Sequence, residues 1–239
     1  MEDKNYSPRA YAFFDVDDTL ITIKSLLRFQ EFWYQWTGDE AGRIAYTTEI
    51  QGLLAQDASW EFVNRRFYAH FAGRSVDQVK HCVAVWLDET ERTLSNQQQS
   101  LFQPVIVRRL HEHRDEGIEP VFVSGSFPLL LDPLAQRLNV RHILAIRQQT
   151  IDGVFTGEIL PPQTIGQGKA DAVLEFLKDK AVAPQDCFAY GDDISDAPML
   201  SCVGFPFVVK GGRRLEAYAE QYGWPVIDPM TDDQVSEAG

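Results

Sequence analysis

The chain alternates between two kinds of apolar spacing, and each change of period marks an element. Tyr11, Ala12, Phe13 and Phe14 form an unbroken apolar run, which suits a strand buried on both faces over about residues 11–15. From Lys24 to about Thr90 the period becomes helical. Leu26, Phe29, Trp33 and Trp36 make one stripe, and Ile44, Ile50, Leu53 and Leu54 a weaker second. Trp60, Val63, Phe67 and Phe71 make a third, closed by Gly73. Ser75 and Gln78 have capping-box spacing ahead of a fourth stripe, Val76, Val79, Val83 and Trp86. Residues 23–91 therefore read as an all-helical bundle. Four of the five tryptophans fall in it, expected in the bundle core or, for one or two, facing a recess.

Beyond Leu101 helix and strand patterns alternate. Helices are expected over 101–116, with Pro104 in the first turn and Gly117 past the end, and over 129–138, 169–180, 197–201 and 213–222. Strands are expected over 121–123, 142–146, 187–190, 205–209 and 225–227. Residues 151–159, with Asp152-Gly153 and Thr156-Gly157 at turn positions, read as a hairpin. This alternation predicts an α/β fold with a parallel sheet and a site at the carboxyl ends of its strands. The chain then divides into a core, 1–22 and 92–239, and the helical insertion 23–91, which leaves next to that site and can cover it as a cap. Residues 1–9 and those after Asp228 are polar and expected to be frayed or disordered.

Composition narrows the partners. The 239 residues suffice for one large domain or a core with an insertion, and 44% hydrophobic with 24% charged residues is ordinary for a soluble globular chain. The net charge of −13, from 35 acidic and 22 basic residues, argues against nucleic-acid binding and against adhesion to an anionic membrane. No apolar run approaches membrane-spanning length. Cys82, Cys187 and Cys202 lack metal-ligand spacing and read as free thiols. The opening residues carry no secretory apolar stretch, so a cytoplasmic location is expected.

The candidate chemistry sits where the apolar runs stop. After Phe14 come Asp15, Asp17 and Asp18, then Thr19. Carboxylates crowded at a strand end repel one another and are costly to desolvate without a cation among them, and hard oxygen ligands suit magnesium. A solvated acidic turn would give the same letters. Alternate residues of an extended segment point the same way, so Asp15 and Asp17 can face one atom while Asp18 faces elsewhere. Ser124 and Gly125 end a second apolar run, Lys169 opens a helix, and Asp192, Asp193 and Asp196 follow a third run. Alone, Ser124-Gly125-Ser126 would equally suit an ordinary turn, and Lys169 an ordinary surface lysine.

Taken in order, Asp15-Val-Asp17-Asp-Thr19, Ser124, Lys169 and the acidic segment after Gly191 resemble the motifs of the haloacid dehalogenase-like phosphohydrolases, nearest to the branch containing phosphoserine phosphatase. The resemblance spans about residues 10–210. It implies a Rossmann-like parallel sheet sandwiched by helices, with an inserted helical cap. It further implies a magnesium-dependent phosphatase acting on a small-molecule phosphomonoester. Asp15 is then the nucleophile that forms an aspartyl-phosphate, and Asp17 the general acid and later base. Ser124 and Gly125 bind the phosphoryl group, and Lys169 neutralises it and orients Asp15. Mg2+ is then held by Asp15, the carbonyl of Asp17, Asp192 and Asp193, with Asp196 behind them.

Three departures bear on this reading. Asp193 stands where that branch commonly has Gly, and Ser195 where it has Asn, which leaves open which acid joins Asp192. Phosphoserine phosphatases carry Glu nine positions after the nucleophile, to pair with the substrate ammonium; here the residue is Lys24. A cation there disfavours an ammonium and favours an anionic or hydroxyl-bearing substrate, with Arg65 or Arg66 as a second contact. Lys24 pointing to solvent is the alternative. A phosphotransferase or mutase on the same scaffold is the alternative activity. A phospho-accepting receiver shares the Asp, Ser and Lys but lacks both an acid two residues past the nucleophile and an inserted cap.

Overall fold

The five residues Ala10–Phe14 of β1 are all buried, and their side chains divide between the two faces of a sheet. Ala10, Ala12 and Phe14 join one apolar cluster and Tyr11 and Phe13 the other. A strand covered on both sides is what an unbroken apolar run dictates. The computed structural model describes residues 8–212 and 214–231. Within them, β2 (Ile118–Ser124), β3 (His142–Ala145), β6 (Phe188–Gly191), β7 (Phe205–Val209) and β8 (Val226–Ile227) complete a six-stranded sheet in the order β3-β2-β1-β6-β7-β8, with every pairing parallel. Helices α5 (Pro104–Asp115), α6 (Pro128–Arg137), α7 (Gln167–Leu177), α8 (Ala197–Ser201) and α9 (Leu215–Tyr222) flank it. The expected fold is therefore present. The fraying expected at the two ends falls mainly on residues outside those described, although Arg9 already pairs with Gly117 and Glu116.

β2 begins three residues before the apolar run suggests. Glu119 is buried but ion-paired to Arg141 at 2.5 Å. Pro120 precedes the first residue paired with β3, Val121, so its missing N–H takes no ladder bond from that neighbour.

Helices α1 (Ser25–Thr37), α2 (Glu40–Ala55), α3 (Trp60–Ala69) and α4 (Val76–Asn96) follow β1. The last runs on past residue 91, the boundary the periodicity suggests. Trp33 and Trp86 are core, whereas Trp36 is 41% exposed and Trp60 is half-buried beside a cleft.

The strands β4 (Arg147–Ile151) and β5 (Val154–Leu160) form a separate antiparallel hairpin, turning at Asp152-Gly153. Thr156-Gly157, expected at a turn, lies inside β5. A Cβ at Gly157 would meet the Ala69 carbonyl and the Ala72 methyl at 3.0 Å, so glycine there permits close packing on α3. Backbone N–H groups of Gly73 and Val76 donate to Phe155 and Gly153, and that of Phe155 donates to Arg74. The hairpin is thereby attached to the helical insertion. Cys82, Cys187 and Cys202 are free thiols. Among the described residues no helix is long and apolar enough to cross a membrane.

Candidate active site

The neighbouring strands β1 and β6 deliver two acidic segments to the same end of the sheet. Asp15 follows β1, with its N–H donating to the Tyr190 carbonyl at 2.9 Å, and its side chain is buried. Lys169 lies in the first turn of α7, where the helix dipole disfavours a cation. Its Nζ lies 2.5 Å from Asp15 Oδ1 and 2.6 Å from Asp196 Oδ1. Burial works against the Lys169 charge, but the two carboxylates outweigh it and keep the ammonium protonated. Burial pushes the Asp15 carboxyl well up, with Lys169 opposing and the charges of Asp196 and Asp192 reinforcing.

Asp196 spends both oxygens on structure: Oδ1 accepts from Lys169, and Oδ2 accepts from the backbone N–H of Asp192 and of Asp193, each at 3.1 Å. A Cβ at Gly191 would lie 2.6 Å from Asp196 Cβ, so only glycine fits under this carboxylate. Asp192 accepts from Thr19 Oγ1 at 2.9 Å, and burial, reinforced by the Asp196 charge, raises it to about 7. Oxygens of Asp15, Asp192 and Asp196 lie within 4.8 Å of one another. Asp193, expected as the acid beside Asp192, is not part of that group. Its Oδ1 accepts from the Ser195 N–H at 3.0 Å and caps the turn Ile194–Asp196, which carries Asp196 inward in its place.

Asp17 lines the same cleft as Asp15. Its Oδ2 accepts from the Ser25 N–H at 3.0 Å, while Oδ1 is buried with no hydrogen-bond partner among the described residues. Burial lifts its carboxyl to about 6 against the hydrogen bonds of Ser25 and the charge of Lys24. Asp18, at φ 61, turns away and pairs with Lys24 at 2.6 Å.

Ser124 ends β2, and its Oγ accepts from the Ser126 N–H at 3.0 Å, which leaves its O–H as a donor. Its carbonyl accepts from Thr164 Oγ1 at 2.7 Å. The Gly125 carbonyl accepts from two residues of α3, Asn64 Nδ2 at 3.0 Å and the Tyr68 hydroxyl at 2.9 Å. Gln163 Nε2 in turn donates to Asn64 Oδ1 at 3.0 Å.

Asp15, Asp17, Asn64, Ser124, Gly125, Lys169, Asp192 and Asp196 line a cleft of about 120 Å³. Lys24 reaches its wall with its ammonium 2.6 Å from Asp18 and its side chain 45% exposed, so it borders both the cleft and solvent. Burial works against the Lys24 charge, but Asp18 outweighs it and holds the pKa above the usual lysine value. Arg65 and Arg66 do not line the cleft. The inward face of α3 carries Val63, Asn64, Phe67 and Tyr68, which leaves Arg65 to donate to Gln163 and Arg66 to pair with Glu49. Asn64 and Tyr68 escaped the sequence reading. The available signal was a polar residue set among the buried positions of an apolar stripe.

The sequence profile of the haloacid dehalogenase-like hydrolases matches residues 12–201. The chain is 33% identical over 235 residues to a protein of Streptomyces azureus named for inhibition of morphological differentiation, covering 94% of this chain and 80% of that one. It is 29% identical over 231 residues to a probable phosphatase of Mycobacterium tuberculosis, covering 92% and 75%. A solved structure described as a phospho-aspartyl intermediate analogue of phosphoserine phosphatase matches with a TM-score of 0.65 at 17% identity, over 95% of this chain and 96% of that one. The chain belongs to the haloacid dehalogenase-like hydrolase family. Within that family it is a phosphatase, similar to the phosphoserine phosphatases, and the non-enzymatic receiver alternative is set aside.

Proposed function

We propose that the protein is a magnesium-dependent phosphomonoesterase that hydrolyses a small phosphorylated metabolite through an aspartyl-phosphate on Asp15. The observation that carries this reading is the buried Lys169 ammonium held between Asp15 and Asp196, opposite the Ser124 loop. The Asp15 carboxylate attacks phosphorus, and the bond to the leaving oxygen breaks. Asp17 gives its proton to that oxygen. It then takes a proton from water, whose oxygen attacks phosphorus and breaks the bond to Asp15, releasing phosphate. The Ser124 hydroxyl and the Lys169 ammonium hold the phosphoryl oxygens. The helical segment 23–91 covers this site as a cap over the core, 1–22 and 92–239.

A divalent cation fits the donor set. Of three buried carboxylates, Asp15 and Asp196 share one lysine, and Asp192 has no cation within hydrogen-bond reach among the described residues. Asp15, Asp192 and the carbonyl of Asp17 would hold Mg2+, with the Asp193 and Asp196 carboxylates left to their backbone partners. When bound, Mg2+ supplies neutralisation of the phosphoryl charge. The cleft, at about 120 Å³, is smaller than the roughly 300–1,000 Å³ that hold drug-sized ligands, which supports a compact substrate.

The test is phosphate release from p-nitrophenyl phosphate with magnesium and with EDTA, followed by acid quench and detection of an acyl phosphate on Asp15. Expected are activity only with the metal and a hydroxylamine-labile label absent from Asp15→Asn. Phosphate appearing on an added alcohol in place of water would favour the transferase alternative.

A further inference from the structure

We infer that the alcohol half of the substrate is compact and uncharged, with an apolar or aromatic body, and that Leu26, Leu27, Trp60, Phe67 and Asn64 select it. This rests on the phosphomonoesterase reading above and names the class of substrate for that site.

The acidic side chains in the cleft wall all come from the core side. Every carboxylate in its wall, Asp15, Asp17, Asp192, Asp193 and Asp196, follows a core strand. The helical insertion contributes Leu26 and Leu27 from α1, Trp60, Asn64 and Phe67 from α3, and Lys24. Leu26, Phe67 and Asn64 are buried, and Leu27 and Trp60 are half-buried. Lys24 is the one charged residue in that set, and its ammonium lies 2.6 Å from Asp18. An ammonium on the leaving group would lose its hydration against this wall and find no carboxylate there. A carboxylate on the leaving group would have to compete with Asp18 for Lys24. An apolar body loses nothing on entry and gains by leaving water.

Asn64 supplies a neutral amide on that wall, beside the indole of Trp60. Its Oδ1 accepts from Gln163, and one Nδ2–H goes to the Gly125 carbonyl. Its second Nδ2–H has no partner among the described residues and suits a single neutral acceptor on the substrate, such as a hydroxyl or ether oxygen. The cleft's volume of about 120 Å³ suits a body of a few carbon atoms or one ring.

The experiment is a ranking of kcat/KM for isobutyl phosphate, benzyl phosphate, phosphoethanolamine, phosphoserine and phosphoglycolate, with p-nitrophenyl phosphate as the reporter of basal activity. The two neutral esters are expected to exceed each charged one by at least about tenfold, within what a hydrophobic pocket discriminates. Leu27→Glu places a carboxylate on the wall at a half-buried position. It is expected to raise the ratio of phosphoethanolamine to isobutyl phosphate by about tenfold or more. No release from any substrate, the reporter included, would overturn the phosphatase reading itself. Release from the reporter with phosphoserine or phosphoglycolate ranked above both neutral esters would overturn only the substrate class. Should Leu27→Glu fail to fold, the wild-type ranking decides.

Discussion

The backbone N–H of Ser25, the first residue of α1, donates to Asp17 Oδ2 at 3.0 Å. The residue ahead of that helix, Lys24, offers no side-chain cap. Asp17 therefore does the work of an N-cap from outside the helix. One carboxylate oxygen ties Asp17 to the start of the helical insertion, and the other, Oδ1, has no hydrogen-bond partner among the described residues and lies beside the cleft.

Asp17→Asn keeps an oxygen for the Ser25 N–H and removes the proton donor. If Asp17 is the general acid, turnover of an alkyl phosphate falls by roughly a hundredfold or more. Turnover of p-nitrophenyl phosphate, whose leaving group needs no proton, falls much less. Steady-state kinetics on the two esters checks this, and equal losses would remove Asp17 from that role.

Magnesium should stabilise the folded protein as well as activate it. Oxygens of the buried Asp15, Asp192 and Asp196 lie within 4.8 Å of one another and the Lys169 ammonium bonds only Asp15 and Asp196, so a bound cation relieves their repulsion. At about a hundred times its dissociation constant a ligand adds about 2.7 kcal/mol, roughly 5–10 °C in Tm for a chain of this size. Differential scanning fluorimetry with magnesium and with EDTA measures the shift. Asp192→Ala should reduce it, and an unchanged shift in that variant would place the cation elsewhere.

Tyr68→Phe removes one of the two α3 donors to the Gly125 carbonyl and leaves the Asn64 bond in place. The expected cost is about 1 kcal/mol of stability. Because the peptide after Gly125 also presents the Ser126 N–H to Ser124, the loop of residues 124–126 loosens, and if it binds the phosphoryl group the effect reaches every substrate. KM should rise a few-fold for every phosphomonoester alike, with the ranking among esters unchanged. A change of ranking would mean that Tyr68 meets the leaving group instead.

His113 makes the fold sensitive to acid. It is buried in α5 with Nε2 2.7 Å from the Tyr190 hydroxyl, and burial, with Arg109 and Arg9 nearby, lowers it from 6.5 to about 4. Between those values the unfolded chain binds a proton that the folded chain refuses. This contribution to stability is therefore full above about pH 6.5, is lost as the pH falls, and levels off below about 4. The loss amounts to roughly 3 kcal/mol. Urea titrations at pH 7.5 and 5 should show a smaller difference for His113→Gln than for the wild type.

Much of this protein is written locally. The run Tyr11–Phe14 is apolar at every position because its strand is covered on both faces. Ser124 and Asp192 fall at or just after strand ends and Lys169 falls in a helix's first turn, so spacing alone brought them to one end of a parallel sheet. What spacing could not decide is which side chains meet once the elements pack. Lys169 and Asp15 are 154 residues apart, and Tyr68 and Gly125 are 57 apart. The place of Asp196 beside Asp15 depends on a single capped turn that uses up Asp193. The pairing of Lys24 goes with Asp18 adopting a left-handed backbone, and the exclusion of Arg65 and Arg66 with which face of α3 turns inward. The attachment of the hairpin to the helical insertion rests on backbone bonds between Phe155 and residues 73 and 74, which no side-chain pattern encodes. Hydrophobic period reports burial along one element, whereas a pairing between elements is settled by shape and by hydrogen bonds formed only when both are in place.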